Sequence, residues 1–359
     1  MGLIDLGFNI WPEPALQKEK LNGYQLARVT AVDKESFFIK GEQSECRAEL
    51  TGRMWYAASS ALDYPTVGDW VFVHYFDDGA FAVIHEIVPR KNLLKRKTAG
   101  KRIEFQLIAA NIDTAFILQS LDSDFSMERL ERYLVIAAQS DIRPLILLSK
   151  SDLSIPGEAR SRLSEIERRL PGVRAISYSS FHEQDVRHIS ELMAKGETFC
   201  LLGSSGVGKT TLLNRLLGEE AFRTRATREK DDKGRHATTR RQLTVLENGA
   251  ILIDTPGMRE LGAFDVERGI EDVFGGITEL SGNCRFADCT HTQEKGCAVL
   301  EALEKGTIAG KQYENFMKMV RESRHYSMSY SEKRRKDKGF GKMVRSVKRT
   351  KKQNRESGL

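Results

Sequence analysis

The chain has 359 residues, 40% of them hydrophobic and 30% charged, with a net charge of +6. That length suggests two or three domains, and the composition fits a soluble globular protein rather than a disordered or fibrous one. No run of 18 apolar residues is present and Met1–Pro12 lacks a basic start, so a cytoplasmic chain with no membrane association is expected.

Residues 22–92 predict a small β domain. Short β-rich runs at Leu26–Val32, Ser36–Ile39, Asp69–Tyr75 and Ala80–Ile84 are separated by turn signals such as Asp77-Asp78-Gly79. About five short strands suggest a small barrel of the OB type. Trp55, Tyr56 and Trp70, with Arg53 nearby, have the chemistry to stack on RNA, but such aromatics are more often core and are expected to fill the barrel. Lys91–Arg102 carries six Lys/Arg and reads as a basic connector.

From about residue 105 strands and helices alternate. Strands are expected at Thr114–Gln119, Leu145–Leu148, Ala175–Ser177 and Thr198–Leu202. Helices are expected at Met127–Ser140, Glu158–Leu170 and Asp185–Ala194, and a hairpin at Thr244–Leu246 and Ile251–Ile253. This alternation argues a parallel α/β sheet covered on both faces.

Gly203-Ser204-Ser205-Gly206-Val207-Gly208-Lys209-Thr210 fits the P-loop pattern between an apolar strand and a helix running to Leu217. The glycines let backbone N–H groups approach phosphate oxygens, and the helix start, including Thr211, adds a favourable field. Lys209 is placed for β- and γ-phosphates, and Thr210 for Mg²⁺. Asp254-Thr255-Pro256-Gly257 follows a strand, 44 residues beyond Thr210. Asp254 suits the Mg²⁺ shell and the Gly257 N–H suits the γ-phosphate. Between them, Lys233–Arg240 reads as a switch loop, with Thr238 or Thr239 offering a second hydroxyl to Mg²⁺.

Ser149-Lys150-Ser151-Asp152 matches [NTS]-K-x-D. Asp152 can accept from the paired guanine donors that adenine lacks, and Lys150 can stack along the base. Ser149 stands where Asn is usual and leaves fewer hydrogen bonds. Ser177-Tyr178-Ser179 is the expected closing loop. Asp152 precedes Gly203 by 51 residues, the reverse of ordinary GTPase order, as if the chain were cut elsewhere in the same sheet.

These motifs in this order resemble the circularly permuted GTPases of small ribosomal subunit biogenesis, the RsgA type. The resemblance also covers the N-terminal β domain, Gly234-Arg235-His236, and the segment Phe286–Val299. It implies an α/β, circularly permuted P-loop GTPase domain between an OB-like barrel and a mostly helical zinc-binding domain. It also implies GTP hydrolysis stimulated by the small (30S) subunit, in late maturation of that subunit. The expected divisions are 1–104 (barrel and connector), 105–272 (GTPase domain), 273–330 (zinc-binding domain) and 331–359 (tail). The expected partners are GTP/GDP, the small subunit and its rRNA, and a monomer is expected.

Cys284, Cys289, His291 and Cys297 offer four N/S ligands within fourteen residues, a closed structural Zn²⁺ set. Cys46 and Cys200 read as buried apolar fillers. Helices are expected at Ala298–Leu303 and Tyr313–Ser323. Residues 331–359 hold twelve Lys/Arg against three acids, a net +9 that leaves residues 1–330 at −3. Such an arm suits RNA phosphate. Ras-like enzymes place a Gln after D-x-x-G to orient water. Met258 stands there, so His236 is the candidate water-positioning residue. The rival readings are a nucleotide-gated RNA-binding module in which hydrolysis is incidental, and an ATPase.

Overall fold

A computed structural model of the protein describes residues 2–8, 23–33, 36–42, 44–97, 105–122, 124–218, 241–254 and 266–327. His236, Thr238, Thr239, Gly257 and the tail 331–359 lie outside the described residues.

Five strands form the N-terminal barrel: β1 (Gln25–Asp33), β2 (Ser36–Gly41), β3 (Glu45–Leu50), β4 (Trp70–Phe76) and β5 (Phe81–Ile87). Their order is β1-β2-β3-β5-β4, and β4 returns to pair with β1, which closes the barrel. The β3–β5 pairing is parallel and the others are antiparallel. Closure leaves no open edge, and Val29, Ile39, Ala48, Val71, Val73 and Ile84 fill the inside. Strand β3 was not among the runs named from sequence.

Two sequence expectations change here. Trp70 is core, but Trp55 and Tyr56 are exposed on α1 (Gly52–Ala57), a helix that buries none of its residues. The basic connector is partly a strand: β6 (Leu93–Lys97) pairs antiparallel with β7 (Phe105–Ala110). A ladder satisfies the backbone groups that a solvated linker would leave to water.

The larger sheet continues through β8 (Thr114–Ser120), β9 (Arg143–Ser149), β10 (Ala175–Ser177), β11 (Thr198–Leu202), β12 (Arg241–Val245) and β13 (Ile251–Asp254). Its order is β10-β9-β8-β11-β13-β12. The first five are mutually parallel, and β12 runs antiparallel to β13. Alternate residues feed two cores. Ile117, Ile146, Cys200 and Ile253 pack toward α2 (Met127–Gln139) and α3 (Glu158–Arg169). Phe116, Leu147, Leu201 and Leu252 pack toward α4 (Glu183–Glu191) and α5 (Lys209–Leu217). Cys46 and Cys200 are buried, as expected of apolar fillers. Elements named from sequence end within four residues of those observed.

Barrel and sheet are continuous through β1–β12, with Ala31 opposite Gln242. Arg28 fastens the same junction. It is fully buried, lies 5.4 Å from the Trp70 ring centre, and donates to the Gly68 carbonyl (3.2 Å) and Thr198 Oγ1 (2.9 Å). Burial pushes its guanidinium down to about 10, and the Asp113 and Asp69 carboxylates oppose that fall.

Four helices end the described chain: α6 (Glu267–Val273), α7 (Gly275–Ser281), α8 (Ala298–Glu304) and α9 (Gly310–Ser327). They dock on α2. A Cβ at Gly269 would lie 2.1 Å from the Val135 carbonyl oxygen, so only glycine permits this approach. Arg132 bridges both Glu322 oxygens at 2.9 and 2.8 Å. Buried Glu131 accepts from Arg169 (2.6 Å) and Asn315.

Candidate nucleotide and metal sites

Because β10, β9, β8, β11 and β13 are parallel, their C-terminal ends share one edge of the sheet. That edge is where α/β sheets place ligands. It collects Ser177 from β10, Ser149–Asp152 from β9, Ser120–Asp122 from β8, Gly203–Thr211 from β11 and Asp254 from β13.

The P-loop turns directly out of the buried β11. Gly203, Gly206 and Gly208 have φ of 151°, 88° and 94°, values that favour glycine. A Cβ at Gly203 would sit 2.6 Å from the Leu118 carbonyl oxygen, which holds the turn against β8. Val207 is buried beneath the loop, whereas Ser205 and Gly206 are exposed. Lys209 opens α5, and its Nζ donates to the carbonyls of Gly203 (2.7 Å) and Ser204 (2.6 Å). The ammonium therefore closes over a ring of backbone. Thr210 and Thr211 follow in the first turn of the helix.

Ser149 is buried, and its hydroxyl donates to the Val207 carbonyl at 2.6 Å, tying the β9 loop to the P-loop. Lys150 adopts a left-handed φ of 62°, which turns the chain into the short helical turn Ser151–Leu153. Asp152 is exposed on that turn. The Ser151 N–H donates to the Tyr178 carbonyl (3.2 Å), and the Ser179 N–H donates to Asp185 (2.8 Å). The first bond sets the two loops side by side, and the second holds Ser179 to the start of α4.

Sequence reasoning missed Asp122. Its Oδ2 meets Lys150 Nζ at 2.9 Å, and its Oδ1 accepts from Ser120 Oγ (2.8 Å) and the Asp124 N–H (2.9 Å). Burial would raise this carboxyl, but the Lys150 ammonium and these donors outweigh it and hold it low. The only signal in the sequence is an acid two residues past a buried strand, a common feature.

The second site is local. Cys284, Cys289, His291 and Cys297 bring their ligand atoms within 4.8 Å of one another. Cys284 Sγ lies 3.8 Å from Cys297 Sγ, and His291 Nδ1 lies 3.6 and 3.4 Å from these two sulfurs. A tetrahedron with Zn–S bonds of ~2.3 Å has edges of about 3.8 Å, so the donor set fits Zn²⁺. Burial pushes the His291 imidazole down, favouring the neutral ligating form. Burial alone would raise the Cys284 thiol, but the Ala298 and Val299 amides at the start of α8, with neighbouring thiols, bring it down. Glu294 braces the loop by accepting from the N–H groups of Thr290 and Thr292 at 3.0 and 2.9 Å.

A family model described as RsgA GTPase matches residues 87–264. Small ribosomal subunit biogenesis GTPase RsgA 2 of Vibrio vulnificus is 37% identical over 96% of this chain and 95% of its own length. RsgA 1 of Bacteroides thetaiotaomicron is 36% identical over 95% of this chain and 96% of its own. The chain belongs to the RsgA GTPase family. As a member it is a GTP-hydrolysing enzyme. The crystal structure of YjeQ from Thermotoga maritima aligns with a TM-score of 0.60, at 24% identity, over 82% of this chain and 97% of that one. YloQ, titled a circularly permuted GTPase, aligns at 0.59 with 21% identity, over 86% and 97%. Both share the fold, and here too the loop after β9 precedes the P-loop in the chain.

Proposed function

We propose that this RsgA-family GTPase acts on the small (30S) ribosomal subunit late in its maturation and that the subunit stimulates its hydrolysis of GTP. One observation carries the reading of the site: five parallel strand ends bring the P-loop, the Ser149–Asp152 loop and Asp254 to one edge. The relatives' printed names, small ribosomal subunit biogenesis GTPases, support the choice of partner. The reading also includes rRNA contact through the basic tail, a cytoplasmic location and a monomeric state.

Asp152 and Lys150 take the guanine base, with Ser151 and Ser177 lining its edge. The amides of Gly203–Thr211 and the Lys209 ammonium take the phosphates. In an isolated chain the Lys209 ammonium rests on the Gly203 and Ser204 carbonyls; a triphosphate would offer it stronger, charged acceptors. Thr210, in the first turn of α5 beyond β11, and Asp254, at the end of the adjacent parallel strand β13, suit Mg²⁺. When bound with GTP, Mg²⁺ neutralises charge on the β- and γ-phosphates. Thr238 or Thr239 supplies a further hydroxyl and Gly257 an N–H to the γ-phosphate. His236 orients the water that attacks the γ-phosphorus as the bond to the GDP oxygen breaks. The Cys₃His set holds one structural Zn²⁺.

The test is phosphate release from GTP with and without purified small subunits. The reading expects slow turnover of the isolated chain and a large rise on adding subunits. Equal turnover in both conditions would refute the stimulated-enzyme reading.

A further inference from the structure

Ser149 carries one hydroxyl proton, and its bond to Val207 uses it. The Ser149 side chain therefore has no second donor with which to stiffen its own loop. Lys150, the next residue, is held in a left-handed conformation that costs a non-glycine residue free energy, so something must hold it there. The contact that fixes its side chain comes from another strand. Asp122, past the end of β8, offers Oδ2 to the Lys150 ammonium at 2.9 Å. Its other oxygen is already locked by the Ser120 hydroxyl and the Asp124 amide at 2.8 and 2.9 Å. The carboxylate is thus oriented before any ligand arrives. The same loop touches the P-loop, where Ser204 Oγ lies 3.4 Å from Asp124 Oδ2.

We infer that Asp122 is a positioning residue for guanine recognition, anchoring the Lys150 ammonium so that the lysine stem is preset to lie along the base. The inference rests on the reading of Ser149–Asp152 as the base-reading loop. It assigns Asp122 the anchoring that a carboxamide at position 149 would share. Both partners are about one-third exposed, so the effect is modest and falls with salt.

Asp122→Asn keeps an oxygen for Ser120 and the Asp124 amide but turns an NH₂ toward Lys150. The experiment measures affinity of the full chain for ribose-labelled fluorescent GDP, and for inorganic tripolyphosphate by competition, in wild type, D122N, K150M and the double variant. The expected result is GDP binding weakened about fivefold in D122N, tripolyphosphate binding unchanged, and the double variant no weaker than K150M. Wild-type GDP affinity in D122N, alongside weakened binding in K150M, overturns the inference alone. So does equal loss of GDP and tripolyphosphate, which marks a general loop defect, or a double variant in which the two losses add. GDP affinity unchanged in K150M overturns the base-loop reading and the inference with it.

Discussion

The nucleotide edge and the Cys₃His cluster reach order by opposite routes. The cluster draws four donors from residues 284–297, and each finds the others through one short loop braced by Glu294. The edge draws on residues from Ser120 to Asp254, and only strand pairing brings them together. Local sequence can build the first. The second needs the whole sheet, and in exchange it ties the loops after β8, β9 and β10 and the P-loop to one another. The two regions meet at α2, which leads away from Asp122 and packs against α6 and α9.

The comparison implies that the two sites can be broken separately. The largest effect is expected from Cys289→Ala. A structural zinc site supplies on the order of 10 kcal/mol in isolated zinc-finger peptides, so its loss should unfold the C-terminal helices. Metal analysis should fall from about one zinc per chain to none, while GDP affinity stays near wild type. Gly269→Val attacks the joint instead of either site. Its Cβ would collide with the Val135 carbonyl, at a cost of about 3 kcal/mol. Thermal melts should show the C-terminal helices released early, with zinc still bound. Smaller again is His236→Ala, which should lower subunit-stimulated kcat about tenfold or more and leave GTP affinity alone. Unchanged kcat with weaker subunit binding would make His236 a contact residue.

How legible each region was from sequence follows the same division. The cysteines and histidine of the metal site could be read directly, because spacing in sequence is nearly spacing in space. The P-loop could be read because its glycines serve a local turn with φ up to 151°. Strand β3 could not: its inward residues are Cys46, Ala48 and Leu50 and its outward ones Glu45, Arg47 and Glu49, so alternation is present but β-formers are scarce. The basic connector misled because Lys95, Arg96 and Lys97 look like linker residues, and only the pairing with Phe105–Ala110 makes them a strand. Trp55 and Tyr56 were expected inside, yet α1 lies on the barrel surface with no residue fully buried, and it is Met54 that packs partly against the core. Asp122 was invisible because its partner, Lys150, is 28 residues away across a strand crossover.

The central claim is that the strand-end edge reads guanine through Asp152. Asp152→Asn removes the acceptor for the guanine donor pair and offers a donor to xanthine, whose base carries an acceptor there. Competition binding of GTP against xanthosine triphosphate decides the matter. Loss of a hydrogen bond to a charged group, worth ~1.5–3 kcal/mol, should weaken GTP about tenfold to a hundredfold and bring xanthosine triphosphate into preference. A D152N chain that still prefers GTP as strongly as wild type would contradict the account.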